Sequence, residues 1–193
     1  MSDSQAPRRS DATRAGILRA ARARFASDGY QKATIRAIAA DAAIDPSMVM
    51  RYYGNKSQLF AAAVDIDLRL PEIGSLPPER LGESLVRHFL HRWEDDPADD
   101  ALLTLLRSAA TDETAAERLR GIFREQLAPV VLAVCADAGE AVERAGLVAT
   151  QMLGLALCRH ILRLPPVTAV PAATLAARIG PTIQRYLTEP LPE

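Results

Sequence analysis

Apolar residues recur at helical spacing along nearly the whole chain, and short polar interruptions separate one stripe from the next. Ile17, Leu18, Ala21 and Phe25 share a face between Thr13 and Ser27, with Arg14, Arg19, Arg22 and Arg24 outside it, so an amphipathic helix is predicted there. Asp28-Gly29 ends it. A second stripe, Ile35, Ile38 and Ala39, opens behind Thr34, whose hydroxyl can accept an orphan amide of the first turn. After a turn at residues 41–44, Asp45 and Pro46 mark a further start: the carboxylate caps, and proline at the first helical position sacrifices no intrahelical bond. That helix ends near Tyr53 at Gly54, and Asn55 caps the next.

The remainder continues in the same period. A helix from Asn55 through Leu59, Phe60, Ala63 and Val64 is predicted to run to Leu70, where Pro71 stops it. A loop at 71–78 follows, then a helix over 78–94 with Leu81, Leu85, Phe89 and Trp93 every fourth residue. An acidic turn at 95–100 precedes a helix over 100–110, and Asp112 caps another that contains Leu119, Ile122, Phe123 and Leu127. Pro129 must kink or break that pattern. A long helix is predicted over 140–164, ended by Pro165-Pro166, and a last one over 172–187. The fold class is all-α. The chain divides into an arm at 1–10, a helix-turn-helix domain at 11–60 and a helical domain at 61–193.

Two helices as short as those at 34–53 cannot stand alone, because nucleation is costly and so few turns are marginal in water. With the helix before them they form a three-helix unit of the kind that lays its third helix into a DNA major groove. Ile44, Val49 and Tyr53 are expected to point inward. Thr34, Arg36, Pro46, Ser47, Met48, Arg51, Tyr52 and Lys56 are the expected DNA-binding residues. Arg36 and Arg51 suit guanine edges, Met48 a thymine methyl group, and Thr34, Tyr52 and Lys56 suit phosphates. Charge sharpens this. Residues 1–60 carry ten Lys and Arg against five Asp and Glu, net +5, which leaves thirteen against nineteen, net −6, for the rest. A basic patch attracts phosphates and an acidic remainder orients the approach. Arg8 and Arg9 in the arm are placed to enter a neighbouring minor groove or to remain a solvated tail.

Residues 13–64 resemble the DNA-binding domain of the TetR family of bacterial transcriptional regulators: Phe-x-x-x-Gly-Tyr at Phe25–Tyr30, Thr-x-x-x-Ile-Ala at Thr34–Ala39, and a Lys opening a long helix at Lys56. The resemblance covers about a quarter of the chain. It implies a second, ligand-binding and dimerisation domain, with the helix after the recognition helix joining the two. On that basis Phe89, Trp93, Leu102, Leu106, Phe123, Leu127 and Met152 are expected to line a pocket for a small apolar or amphipathic inducer. Leu153, Leu157, Ile161, Leu175, Ile179 and Ile183 on the two terminal helices are expected in a four-helix homodimer interface, which would set two recognition helices roughly 34–36 Å apart on a palindromic operator. Three departures from the family pattern stand out. Ala43 occupies a turn position where glycine is common, at a cost of roughly 1 kcal/mol if φ is positive. Met50 replaces a frequent tyrosine, and Met48 a small hydroxyl residue.

Other chemistry is thin. A length of 193 residues with 49% hydrophobic and 24% charged residues describes an ordinary globular chain. Cys135 and Cys158 lack paired spacing, and the sequence shows no secretory leader, so a reducing, cytoplasmic interior is expected. The apolar run at 147–157 is broken by Gln151 and Gly154 and is not read as membrane-spanning. His88 and His91 have metal-compatible spacing without a third ligand and are read as core-edge residues. His160 beside Cys158 is read as interface packing, and Asp95, Asp96, Asp99 and Asp100 as a solvated turn. No catalytic constellation, phosphate loop or zinc spacing is present, so neither an enzyme nor a cofactor is expected. The reading is a homodimeric DNA-binding repressor released by a small molecule. Its rivals are a DNA-binding dimer without a ligand, and a helical carrier or enzyme that has lost operator binding.

Overall fold

The computed structural model describes residues 9–94, 100–135 and 137–191, and no strand occurs among them. The chain forms two units that cross in sequence. The first runs to Ile66 and takes in Asp100–Ala116; the second comprises Asp67–Asp99 and Glu117–Glu193. A single cut at residue 60 therefore misses the return of the chain to the first unit.

In the first unit, α1 spans Arg9–Lys32 and breaks only at Gly29, whose φ of 74° and ψ of 166° only glycine adopts readily. Serine 10 is thus already helical; residues 1–8, with the expected arm, lie outside the described residues. Helices α2 (Ile35–Asp41), α3 (Pro46–Tyr53) and α4 (Lys56–Ala63) follow, each entered through the side-chain cap that the sequence advertises. Their shared core is Ile17, Ala21, Phe25, Ile38, Ala39, Val49, Leu59, Phe60, Ala63 and Val64. Phe60 anchors it, edge-on to Phe25 at 5.0 Å and to Tyr30 at 4.8 Å between centroids, arrangements that favour ring quadrupoles beyond simple burial. Helix α6 (Asp100–Ala109) lies along α1 and buries Ala101 and Leu105. Ala43 takes φ 53°, so the cost of a left-handed non-glycine residue applies at this turn.

Helix α4 does not continue to Leu70. It stops at Ala63, and Val64 leaves the helix with φ −106° and ψ 23°. The reason is tertiary. In the second unit Arg92 donates to the Asp67 carbonyl at 3.0 Å, the His88 ring nitrogen donates to the Leu68 carbonyl at 2.9 Å, and Gln126 accepts from the Leu68 amide at 2.7 Å. Side chains distant in sequence thereby satisfy backbone groups that a helix would otherwise pair.

The second unit is built on α5 (Leu81–Glu94), α7 (Glu113–Ile122, which begins in the first unit), α8 (Ala128–Leu132), α9 (Ala141–Ala156), α10 (Pro165–Thr168) and α11 (Ala172–Thr188). Helices α5 and α11 pack along their length, and their approach is closest where Gly82 meets Gly180. A Cβ on Gly82 would lie 2.5 Å from the Gln184 amide nitrogen, and one on Gly180 would lie 2.8 Å from the Glu83 Cα. The expected kink at Pro129 takes the form of a π-helical turn at Phe123–Leu127 just ahead of it. A second π turn, Leu157–Ile161, ends the long helix a few residues short of prediction, and Pro165-Pro166 opens α10 rather than closing α9. The stretch Ala141–Ile161 is long and apolar enough to cross a membrane by composition. Its Ala145, Val148 and Met152, however, belong to the buried core with Leu85, Leu90 and Ile183.

Candidate nucleic-acid interface

The expected reading surface starts with two caps. Thr34 Oγ1 accepts from the Ala37 amide at 3.1 Å, and Asp45 Oδ1 accepts from the Ser47 amide at 2.7 Å, so α2 and α3 both begin at fixed points. The Ser47 side chain first, and its amide second, hold the Asp45 carboxyl below its usual range. Pro46 occupies the first turn of α3. Behind the helix, Arg24 closes a two-pronged bond on Asp41 at 2.8 and 2.6 Å and reaches Asp28 at 3.3 Å, tying α1 to the end of α2. Those bonds, Asp41 foremost, raise the arginine above its ordinary value.

On α3 the apolar and polar faces separate as the pattern requires. Val49 is fully buried, Ile44 and Tyr53 are half-buried, and Ser47, Met50 and Arg51 are exposed, with Met48 and Tyr52 half-exposed between them. Thr34 and Arg36 are exposed on α2. The eight expected DNA-binding residues therefore all lie at the start of α2, on α3 or at the first residue of α4, in one unit.

Lys56, expected to suit a phosphate, also has partners within the fold. Its ammonium donates to the Gln31 carbonyl at 3.0 Å and sits 4.6 Å from the Tyr30 ring centroid, so it also fastens α4 to the end of α1. Two of its three N–H bonds remain. The Gln31 side chain in turn donates to Asp112 at 2.7 Å, and Asp112 caps α7 by accepting from the Ala115 amide at 3.0 Å. Sequence reasoning also missed Arg14. Its guanidinium lies over the Tyr52 ring, 5.5 Å from the centroid, and its carbonyl accepts from the Tyr53 hydroxyl at 3.2 Å. Burial raises the Tyr53 phenol, which keeps it a neutral donor. The only signal in the sequence was an arginine on the polar face of α1, which is equally the mark of a solvated position.

The residues expected around a ligand do not gather. Phe89, Phe123 and Leu127 pack against the second unit's core and Met152 belongs to it, but Leu102 and Leu106 lie on α6 in the first unit. The Trp93 side chain and the acidic turn at 95–99 lie outside the described residues. Spacing on a helix shows which residues share a face; it does not show which unit the face joins. The expected dimer residues also divide. Leu157 is 41% exposed, and Leu153, Ile161 and Ile179 are half-exposed, but Leu175 and Ile183 are buried within the chain's own core. The α11 stripe is spent on α5. His88 is the backbone donor described above, and His91 is exposed.

Two short helices capped into a turn, packed on a third and presenting a polar row that includes an arginine, define a helix-turn-helix DNA-binding protein. Known families agree across both units. "Bacterial regulatory proteins, tetR family" matches residues 17–63, and "Tetracyclin repressor-like, C-terminal domain" matches residues 79–187. The chain belongs to the TetR family of bacterial transcriptional regulators. It is similar to the TetR-family regulator SCO0857 of Streptomyces coelicolor, with 33% identity over 95% of this chain and 99% of that one and a TM-score of 0.66. The HTH-type transcriptional repressor SCO4008 of Streptomyces coelicolor is 43% identical over 60 residues, 31% of either chain, so the match spans less than a third of that repressor. The SmeT–triclosan complex shares the fold, with 20% identity over 94% of this chain and 100% of that one and a TM-score of 0.67. Regulators of this family bind DNA, form dimers and respond to small molecules, and are in general not enzymes.

Proposed function

We propose that the chain is a cytoplasmic homodimeric repressor that reads a palindromic operator through Thr34, Arg36, Pro46, Ser47, Met48, Arg51, Tyr52 and Lys56, and leaves it when a small apolar or amphipathic molecule binds the second unit. The observation that carries the reading is the capped α3 with Ser47 and Arg51 turned outward and Tyr52 half-exposed beside them in the basic part of the chain. Caps fix the helix; side chains on a fixed helix can match base edges, where a bidentate arginine–guanine pair is worth about 1–3 kcal/mol of discrimination. SmeT, which shares the fold, holds triclosan, and this supports a ligand of that general character here. By linkage, such a ligand weakens DNA binding by the factor by which DNA weakens ligand binding. Residues Phe89, Phe123, Leu127 and Met152 remain the candidates to touch it, and Leu153, Leu157, Ile161 and Ile179 the candidates for the partner protomer.

The test is selection of bound fragments from a random duplex pool at two salt concentrations, followed by titration of variants. A palindrome with half-sites one helical turn apart is the expected outcome. Arg51→Ala lowers affinity and sequence preference together, whereas Lys56→Ala weakens all sequences similarly and flattens the salt slope by about one unit. Recovery of no motif would sink the reading, and Arg51→Ala without effect on either quantity would misplace the recognition face.

A further inference from the structure

The arginines of α1 divide by what they hold. Arg22 donates to the Ala63 carbonyl at 2.8 Å, and Arg24 is committed to Asp41 and Asp28. Arg14 is exposed and is met by the face of an aromatic ring rather than by an acceptor. That distinction matters chemically. A guanidinium placed over a ring spends no N–H donor on an acceptor there, so those donors stay available to an oxyanion.

The seat is joined by a second contact between the same two helices. Tyr52 and Tyr53 are consecutive on α3, and they take hold of Arg14 in two places. Tyr52 carries the guanidinium, and the Tyr53 hydroxyl donates to the Arg14 carbonyl. The backbone of α1 is thereby pinned at the residue whose side chain lies beside the recognition helix. Lys56 is held by a similar combination, a cation over Tyr30 with its ammonium on a backbone carbonyl. Tyrosine-seated cations thus sit at two points next to the end of α3, in the part of the chain that carries net positive charge.

We propose that Arg14 is a further DNA-contact residue: Tyr52 orients its guanidinium, and that guanidinium closes on a backbone phosphate beside the groove that α3 enters. This rests on the DNA-reading function proposed above and extends the contact surface from α2 and α3 onto α1. Contact with the ring narrows the positions open to the guanidinium, so less side-chain entropy is lost when the phosphate arrives than for an arginine with no such seat. A phosphate contact fixes register and adds affinity without sequence information.

The test uses the full-length protein and two duplexes, one carrying the selected palindrome and one its scrambled counterpart, with Kd measured across a salt series. Arg14→Ala leaves the Tyr53 bond intact, since its acceptor is a carbonyl. It is expected to weaken both duplexes by a similar factor, roughly five- to tenfold near 0.1 M salt, and to lower the salt slope by about 0.9. Arg14→Lys keeps the slope and recovers part of the affinity. Tyr52→Leu lowers affinity, and in its background Arg14→Ala costs less than it does alone. An unchanged slope in Arg14→Ala, with thermal stability equal to the parent's, overturns the proposal and leaves Arg14 as a packing residue. If the parent protein binds neither duplex, the function itself is refuted, a result separable from failure of Arg14 alone.

Discussion

The two units reach helical structure by different means. In the first, each short helix is announced by its own residues: Thr34, Asp45 and Asn55 donate nothing to the core, yet each accepts the amide that starts a helix, from Ala37, Ser47 and Gln58. In the second, α8, α9, α10 and α11 have no side-chain cap bond at their entries, and two π turns interrupt the line of helices. Its organisation comes from contact between helices. The surface proposed to meet DNA is locally specified, whereas the second unit is held mainly by packing between helices around its buried core.

That contrast makes predictions of decreasing size. Phe60→Ala removes the ring that joins Phe25 and Tyr30, and should destabilise the first unit by about 3–5 kcal/mol. Calorimetry should show one transition lowered and the other kept; equal loss in both would mean that the units do not unfold separately. Gly82→Ala tests the second unit in the same way. Its added methyl must push the backbone of α11 away, at about 1–3 kcal/mol, and the affected transition should be the one that Phe60→Ala spares. Thr34→Ala deletes one local signal and should cost about 1 kcal/mol in the first unit, read from its melting temperature. The smallest effect is acid dependence. The Asp45 carboxyl is depressed below its usual 3.8 in the folded chain, so its contribution is present above that value and fades as pH falls through the lower folded value. The stability difference between the parent and Asp45→Ala should therefore narrow below about pH 4.

The same contrast governs what could be read from the sequence. Thr34, Asp45-Pro46 and Gly54 are local, and each marks a boundary within a residue of where it lies. The end of α4 is not local. Nothing in Val64–Leu70 forbids a helix; the chain leaves it because Arg92, His88 and Gln126 take over the backbone at Asp67 and Leu68. Likewise the spacing on α6 marked a helix over 100–110 but not its destination, α1, where Ala101 and Leu105 are buried and Leu102 and Leu106 only partly so; a one-dimensional pattern does not encode that choice. At the interface, Arg51 and Ser47 were legible as outward positions of a capped helix. Arg14 was not, because its role depends on a ring thirty-eight positions away in sequence, Tyr52.

The first unit is discontinuous, and this has a consequence for how the chain is made. Ala101 and Leu105 of α6, with Ala115, are buried in a unit whose residues outside Asp100–Ala116 run no further than Ile66. Translation adds about 5–20 residues per second, so the α6 segment emerges about 3–10 s after the recognition helix and its neighbours. During that interval the flank of α1 that α6 covers in the finished chain has no partner helix on it. Shortening a gene product between residues 66 and 100 would leave it permanently in that unfinished state.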